Sequence, residues 1–408
     1  MTIFWIFFGL TIFGLVSYGL QILAVHYYTK RSWHYPDMGD QSCQTVPPIS
    51  LLKPLRGVDD NLFDNLESFC LQDYPLYEVI FSLQDYNDPA YKVARKVKDK
   101  YPQKDIRIIV ERCDLGLNPK VNNLIPAYRI SRYQHILISD SNVKVDRNYL
   151  REIVEHLADP SVGLVSNLIQ GINGRSIGSV FENLHLNTFI IGSVCFLDRF
   201  LKMPCVIGKS MLMRKADLEA IGGLTAVKDV LAEDYVIGEK MHKAGRKVML
   251  SSHFIYNVNE YWGMNKFLNR HTRWGKLRWK IGGIKYLSEL LSNAVFMSFL
   301  PIFMWNPSKL TLSFTAFVSL FKVAGDYYIG KKIKSDLNPF FYFLSPVKDL
   351  VIGVLWFIPI ISNTIVWRGN RYLIGRESLL SPYPENSIWS WRYKIMETIK
   401  TRIAWSTK

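Results

Sequence analysis

A charge-free stretch at the start of the chain restricts the fold more than any other feature. Residues 1–29 contain no Asp, Glu, Lys or Arg, and about 20 apolar residues in a helix cross the hydrocarbon core of a bilayer. Lipid offers no hydrogen-bond partners to the backbone, so we expect a helix. The stretch lacks a basic leading region and a small-residue cleavage site, which favours a retained anchor over a cleaved signal peptide. Lys30 and Arg31 follow at once and place the downstream chain in the cytoplasm by the positive-inside tendency.

Further apolar segments lie in the C-terminal part of the chain. The runs at 287–305, 310–324 and 347–367 are membrane candidates. Three full crossings would leave the tail outside, yet Arg368, Arg371 and Arg376 follow the last run and favour a cytoplasmic tail. We therefore expect one of the three runs to be interfacial or re-entrant. The aromatic, sparsely charged segment 178–200 is expected to lie at the interface or to pack beneath the soluble domain.

The charge and the cysteines narrow the possible partners. A net charge of +15 at pH 7 is compatible with nucleic acid, acidic lipid or a phosphorylated substrate. The five cysteines stand far apart without a CxxC pair, so no disulfide framework or zinc site is indicated and a reducing cytoplasmic setting fits. Much of the basic charge adjoins apolar segments, which favours a membrane surface over nucleic acid; these residues are Arg270, Arg273, Lys276, Arg278, Lys280, Lys331, Lys332 and Lys334.

Strand-like and helix-like segments alternate between residues 49 and 166. Strand–helix alternation implies crossover units, and hence an α/β fold with a mostly parallel sheet. Ligands of such sheets bind beyond the carboxyl ends of the strands, where Asp85 and Asp140 fall. Strands are predicted at 49–52, 77–83, 106–110, 135–139 and 162–166, and helices at 60–71, 88–100, 122–131 and 146–157. The expected division of the chain is an anchor at 1–29, a cytoplasmic domain at 47–283, membrane helices at 284–370 and a basic tail at 371–408.

Two of these strand ends carry candidate ligand-binding carboxylates. Asp140 and Asn142 stand two residues apart in a predicted turn, and a carboxylate–amide pair suits Mg²⁺ or Mn²⁺ that bridges substrate phosphates. Asp85 is placed to accept hydrogen bonds from a nucleotide base or ribose. The alternative for Asp140 and Asn142 is a turn or a helix cap, and for Asp85 a cap. Asp88 and Pro89 are typical of an N-cap and a first-turn proline.

Two further groups point to catalysis. Glu233 and Asp234 open a predicted helix, and one of them is a candidate general base for an acceptor hydroxyl, although acidic residues are ordinary at a helix start. Arg270, Arg273 and Trp274 are spaced to share one helix face. Paired guanidiniums suit a diphosphate; the alternative is an interfacial belt of Arg and Trp.

Two phosphate-binding motifs fail on inspection. The triplet Gly208, Lys209 and Ser210 resembles the end of a P-loop, but Met203 stands where that motif requires glycine. The first predicted strand is followed by KPLRGVD rather than G-x-G-x-x-G, which argues against a dinucleotide dehydrogenase.

Together these phrases resemble the processive-type glycosyltransferases of the GT-A fold, and specifically the ceramide glucosyltransferases of glycosyltransferase family 21. The resemblance runs from about residue 47 to 280, with similar membrane segments at both ends. The matching phrases are SLLKPLRGVD at 50–59, LQDYP at 71–75, QDYNDP at 84–89, NPKVNNL at 118–124, KSMLMRK at 209–215, AEDY at 232–235 and RWGKLR at 273–278.

The resemblance implies a role for each site residue. Those on the donor side are Asp85 at the uridine, Lys120 in the nucleotide site, Asp140 at the metal and diphosphate, and Arg270 and Arg273 of an R-x-x-R-W signature. Asp234 corresponds to the catalytic base, with Glu233 and Trp274 on the acceptor side. The common Asp-x-Asp metal motif ends here in Asn142, so a single carboxylate would hold Mg²⁺ or Mn²⁺ through phosphate.

The expected protein is a multi-pass membrane enzyme with a cytoplasmic GT-A domain. It would move glucose from UDP-glucose, with inversion, to a membrane lipid hydroxyl, ceramide first among acceptors; no nucleic acid is expected as a partner. The alternative within the enzyme class is transfer of N-acetylglucosamine to a hopanoid, because bacterial hopanoid transferases are similar to this family. The alternative outside it is a basic membrane scaffold or transporter with a degenerate nucleotide-sugar domain.

Overall fold

The computed structural model describes residues 2–30, 46–304, 307–367 and 369–384. Arg31, Cys43, Arg368 and the part of the predicted basic tail at 385–408 lie outside the described residues. The helices are α1 (Thr2–Lys30), α2 (Leu62–Cys70), α3 (Pro89–Lys100), α4 (Pro119–Ile130), α5 (Tyr149–Val154), α6 (Ile177–His185), α7 (Ile191–Leu201), α8 (Lys215–Ala220), α9 (Glu233–Lys243), α10 (Met264–Gly282), α11 (Leu287–Leu291), α12 (Ala294–Met304), α13 (Lys309–Lys332), α14 (Ser345–Leu355) and α15 (Ile358–Ile361). The strands are β1 (Ile49–Pro54), β2 (Tyr77–Leu83), β3 (Ile106–Val110), β4 (His135–Ile138), β5 (Val143–Lys144), β6 (Val162–Ile172), β7 (Met211–Arg214), β8 (Lys247–Val258), β9 (Thr364–Trp367), β10 (Asn370–Ile374) and β11 (Leu380–Pro382).

The main sheet has eight strands in the order β3-β2-β1-β4-β7-β6-β8-β5. Pairing is parallel from β3 through β4 and between β6 and β8, whereas β7 is antiparallel to both of its neighbours and β5 is antiparallel to β8. The predicted α/β fold with a mostly parallel sheet is confirmed. Because these first four strands run the same way, the carboxyl ends of β1, β2 and β4 meet at one edge.

Alternation along the strands builds an apolar layer on each face of the sheet. In β1, Leu51 joins the cluster that contains Phe69 of α2, whereas its neighbour Leu52 joins the cluster that contains Leu124 of α4. All of these side chains are essentially inaccessible. Successive residues of a strand point to opposite faces, so an uninterrupted apolar strand requires helices on both sides of the sheet.

The predicted elements agree with the structure, with shifted ends. β4 ends at Ile138, so Asp140 stands in the loop beyond it as expected. The strand predicted at 162–166 continues to Ile172, because its second half pairs with β8 after an irregularity at Asn167 and Leu168. The helix predicted at 146–157 is the short α5 followed by a 3₁₀ turn, Glu155–Ala158.

Three helices are long and apolar enough to cross a membrane among the residues that the structure describes. They are Phe4–Lys30, Ile177–Leu201 and Pro339–Ile361, and a fourth candidate is the pair Met264–Leu291 and Ala294–Met304, which is bent by 72°. The segment expected at the interface or beneath the domain, 178–200, is mostly covered by other parts of the protein. The run at 287–305 contains the break between α11 and α12, a geometry compatible with a re-entrant segment.

The third apolar run, 347–367, is not a single helix. It contains α14, α15 and the strand β9, which pairs with β10 and then β11 in a second, three-stranded sheet. Residues 371–384, the first part of the predicted basic tail, include β11 and most of β10. The sheet folds back on the main domain, where Leu231 donates its N–H to the carbonyl of Ser378 over 2.8 Å.

Candidate active site

Asp140 stands at the centre of a charged cluster beyond the end of β4. Its Oδ1 lies 2.8 Å from Nζ of Lys120 and its Oδ2 3.3 Å from Nζ of Lys209. Desolvation in the cleft opposes ionisation, but the two ammonium groups hold the pKa of Asp140 well below its usual range. The side chain is still 29% exposed, so a ligand can reach it.

Lys120 joins three segments of this cluster. It lies in the first turn of α4, where the side chain of Asn118 caps the helix by accepting the N–H groups of Lys120 and Val121. Its ammonium group contacts Asp140, donates to the carbonyl of Gly208 over 2.8 Å and lies 2.7 Å from Oε1 of Glu233. The structure thus brings Lys120, Asp140 and Glu233, which were singled out from distant parts of the sequence, into contact.

Asp234 is held by two backbone N–H groups at the start of α9. Its Oδ2 accepts the N–H of Gly208 over 2.7 Å, and its Oδ1 accepts the N–H of Tyr235 over 2.8 Å. Burial, and then the neighbouring charge of Glu233, raise the pKa of Asp234 to about 6. A carboxylate with such a pKa is suited to accept a proton near neutral pH.

Gly208 and Lys209 connect these two carboxylates, and their importance was missed in the sequence. A Cβ on Gly208 would lie 2.5 Å from Oδ2 of Asp234, so only glycine allows this approach. Lys209 contacts Asp140 and donates to Oδ1 of Asn142 over 2.7 Å. Burial above all, and then the cations Arg270 and Lys120, lower the pKa of Lys209 to about 8, although Asp140 opposes this. The sequence had two signals, the triplet of residues 208–210, which is a failed P-loop, and the family-like phrase KSMLMRK at 209–215, but neither one indicated a contact with Asp140 or Asp234.

The side-chain oxygens of Asp140 and Asn142 are suitably placed to bind a divalent cation. Asp140 and Asn142 both direct an oxygen at the ammonium group of Lys209, which shows that they converge on one cationic position. Within the described residues there is no cluster of three or more His, Cys, Asp or Glu that would form a complete metal site. The pair therefore fits a cation that takes its other ligands from substrate phosphates and water, as Mg²⁺ commonly does.

Helix α10 carries the predicted arginines and tryptophan. The guanidinium of Arg270 lies 4.4 Å from the ring centroid of Trp274, as their spacing on one helix face predicts. Nη1 of Arg270 lies 3.2 Å from Oε1 of Glu182, which is fully buried on α6. Arg273 is half-buried on the same helix. In the sequence, Glu182 was visible only as one of two acids, with Asp198, in the sparsely charged segment 178–200.

Asp85 lies at the same edge of the sheet but outside this cluster. It follows β2, it is exposed, and its Oδ1 accepts the N–H of Asn87 over 2.9 Å. The helix cap is not Asp85 but Asp88, which accepts the N–H of Ala90 at the start of α3. A contact of Asp85 with a nucleotide base stays a prediction.

The chain is similar to known glycosyltransferases. The model of glycosyl transferase family 21 matches residues 15–380. Ceramide glucosyltransferase 1 of Caenorhabditis elegans is 28% identical over 385 residues, which cover 89% of this chain and 78% of that protein. Ceramide glucosyltransferase 3 of the same organism is 31% identical over 268 residues, which cover 65% of this chain and 57% of that protein.

A solved structure supports the fold. The mannosyltransferase PcManGT from Pyrobaculum calidifontis, in complex with GDP-Man and Mn²⁺, superposes with a TM-score of 0.50 at 16% sequence identity, and the match covers 88% of this chain and 97% of that one. The predicted GT-A architecture is confirmed. Since the family model extends over most of the sequence, the chain belongs to glycosyl transferase family 21 and is a hexosyltransferase.

Proposed function

We propose that the protein transfers glucose from UDP-glucose to the primary hydroxyl of ceramide and inverts the anomeric carbon. The relatives named above support the acceptor and the sugar. The observation that carries the mechanism is the pair of consecutive residues Gly208 and Lys209. Gly208 holds Asp234 and Lys209 contacts Asp140. The proposed general base and the proposed phosphate-binding cluster therefore lie side by side, as transfer from a nucleotide sugar requires.

In this mechanism Asp234 accepts the proton of the acceptor hydroxyl. The freed oxygen forms a bond to the anomeric carbon while the bond from that carbon to the β-phosphate oxygen breaks, and UDP leaves with the electron pair. Two backbone N–H groups orient the carboxylate and leave lone pairs for the proton. Burial keeps its pKa near the working pH, where general-base catalysis is most effective.

Positive groups around Asp140 would stabilise the departing diphosphate. Lys120 and Lys209 are already oriented by the carboxylates that they contact, and Arg270 and Arg273 of α10 would add bidentate donors. Mg²⁺ or Mn²⁺, when bound, would be held by Asp140 and Asn142 and would neutralise charge on the diphosphate. Asp85 would contact the uridine.

The proposed setting is the cytoplasmic face of a bilayer. The domain at 47–283 would project into the cytoplasm between the N-terminal anchor and the C-terminal membrane helices, and the basic residues of α10 would face anionic headgroups. The opening for the lipid would lie between α10 and the segment 178–200, with Trp274 on the acceptor side. The alternative acceptor, a hopanoid polyol with N-acetylglucosamine as the sugar, would use the same machinery.

Reconstituted protein tests the proposal directly. Purified chain in nanodiscs is supplied with UDP-glucose, UDP-galactose or UDP-N-acetylglucosamine, and with ceramide or a hopanoid polyol, and lipid products are identified by mass spectrometry. Glucosylceramide should dominate. Asp234→Asn should lower the transfer rate by roughly 10²–10⁴, while Asp99→Asn, the same change at an exposed position of α3, should not. UDP release that does not increase with any lipid would favour the scaffold alternative.

A further inference from the structure

A buried polar seam leads from the diphosphate side of the site towards the membrane-associated helices. We define it by Glu182 and His185 of α6 and by Arg270 and His271 of α10. Glu182 contacts Arg270, and its Oε2 lies 2.8 Å from Nε2 of His271. The rings of His271 and His185 lie edge to face, with centroids 4.4 Å apart. The seam is therefore continuous from Arg270, beside Trp274, to His185.

Several polar atoms of the seam have no hydrogen-bond partner among the described residues. They are both ring nitrogens of His185, Nδ1 of His271 and Nε of Arg270. His185 is only 1% exposed and packs against the ring of Phe189. Buried polar atoms are nearly always hydrogen-bonded to protein, water or ligand, because leaving them unpaired is costly. An imidazole buried in this way indicates a place for a polar ligand.

His185 also lines a cavity between the membrane-associated helices. The cavity has a volume of about 40 Å³ and is bounded by residues of α1, α10, α13 and α14, among them Gln21 and Arg278. A single water needs roughly 10–15 Å³ of such space, so the cavity has room for one small polar group but not for a sugar ring. The π-helical turn Leu186–Ile190 begins directly after His185, and such turns are frequent at functional sites.

The charges around this cavity are balanced within the protein. Arg278 lies 2.6 Å from Glu289, Lys322 lies 2.5 Å from Asp326, and Lys348 lies 2.7 Å from Asp349. Each of these cations thus has an anion of the protein in contact, so none of them requires an anionic ligand as a partner. A neutral ligand avoids the desolvation cost that a charged group would meet here.

We propose that His185 hydrogen-bonds an uncharged amide or secondary hydroxyl of the acceptor lipid while its primary hydroxyl reaches Asp234. The seam would then select neutral amide- and hydroxyl-bearing lipids over charged ones. This inference rests on the proposed lipid acceptor, and it adds the binding residue and the chemical class that the residue recognises.

The first test separates acceptor binding from donor binding. His185→Phe keeps a ring against Phe189 and removes both nitrogens. In nanodiscs, the KM for short-chain ceramide should rise about 5–10-fold, the expected loss for one hydrogen bond, while kcat and the KM for UDP-glucose stay within twofold. His185→Asn retains a hydrogen-bonding group and should recover most of the loss.

A matched control is available at the start of β4, away from the edge of the sheet where Asp140 lies. His135 begins β4, and its Nδ1 is also without a partner in the described part of the chain. His135→Phe should leave the KM for ceramide unchanged. An equal effect of the two histidine changes, or an equal rise in both KM values for His185→Phe, would overturn the assignment.

The second test does not depend on turnover. A photoreactive short-chain ceramide should label the wild-type chain, with ceramide competing at least 10-fold better than sphingosine, whose amine is charged at neutral pH. Equal competition would refute selection for a neutral group. Labelling that is sensitive to His185→Phe in a chain that transfers no glucose would reject the proposed function and retain this inference. Glucosylceramide formation by His185→Phe with an unchanged KM for ceramide would support the proposed function and reject this inference.

Discussion

The close approach of Gly208 to Asp234 gives a sharp test of the proposed base. In Gly208→Ala the new Cβ would lie 2.5 Å from Oδ2 and 2.9 Å from Cβ of Asp234. Rotation of the carboxylate alone does not relieve the second contact, so the start of α9 must move by about 1 Å, which typically costs about 10² in rate. The variant should therefore lose about 10²-fold in kcat while its KM for UDP-glucose changes less than threefold.

The assay measures initial rates of glucosylceramide formation across donor concentrations, with thermal unfolding as a check on folding. Gly9→Ala is the matched control, because nothing lies within 4 Å of a Cβ added at this helical position. A kcat for Gly208→Ala within threefold of wild type would show that Asp234 is not the base or that Gly208 does not fix it.

Other expectations follow from the same cluster. Because the pKa of Asp234 is raised to about 6, kcat/KM should fall tenfold per pH unit below pH 6 and level off above it in a pH–rate profile; a flat profile from pH 5 to 8 would exclude this base. Chelation should stop turnover and Mg²⁺ or Mn²⁺ should restore it; full activity in excess chelator would show that the reaction does not need the metal. Asp140→Ala should raise the metal requirement or abolish activity. Asn142→Asp should tighten Mn²⁺ binding measured by electron paramagnetic resonance. Trp274→Ala, which removes the ring beside Arg270, should impair transfer to lipid much more than binding of UDP-glucose measured by calorimetry; equal losses in stably inserted protein would contradict its acceptor-side role.

Local patterns were enough to predict the parallel part of the sheet. The strand predicted at 135–139 corresponds to β4, which ends at Ile138, so the position of Asp140 just beyond a strand could be predicted from the apolar, β-branched run alone. The contact between Arg270 and Trp274 on helix α10 could be predicted equally well, since the two residues stand one turn apart and their side chains do meet. In both cases the determining interactions lie within a few residues along the chain.

Contacts between distant loops could not be predicted in this way. Nothing near Lys209 in the sequence shows that it will meet Asp140, because that contact depends on the antiparallel pairing of β7 with β4. Glu182 becomes the partner of Arg270 only once α6 and α10 pack together. The strand β9 was hidden for another reason, because its four residues end the long apolar run 347–367, and apolar residues of a strand and of a buried helix cannot be told apart by periodicity alone.

The second sheet helps to hold the proposed base in place. The N–H of Leu231 is bonded to Ser378, and the N–H of Leu380 is bonded to the carbonyl of Asp229 over 2.7 Å. These bonds fix the segment directly before Glu233 and Asp234. Leu277 of α10 packs against the same apolar cluster as Leu231 and Tyr372. The helix that begins at Glu233 and Asp234 and the helix that carries the arginines thus both contact one unit. That unit follows Pro339–Ile361, the last described helix that is long and apolar enough to span a membrane, so a displacement of this helix would be transmitted to the candidate site.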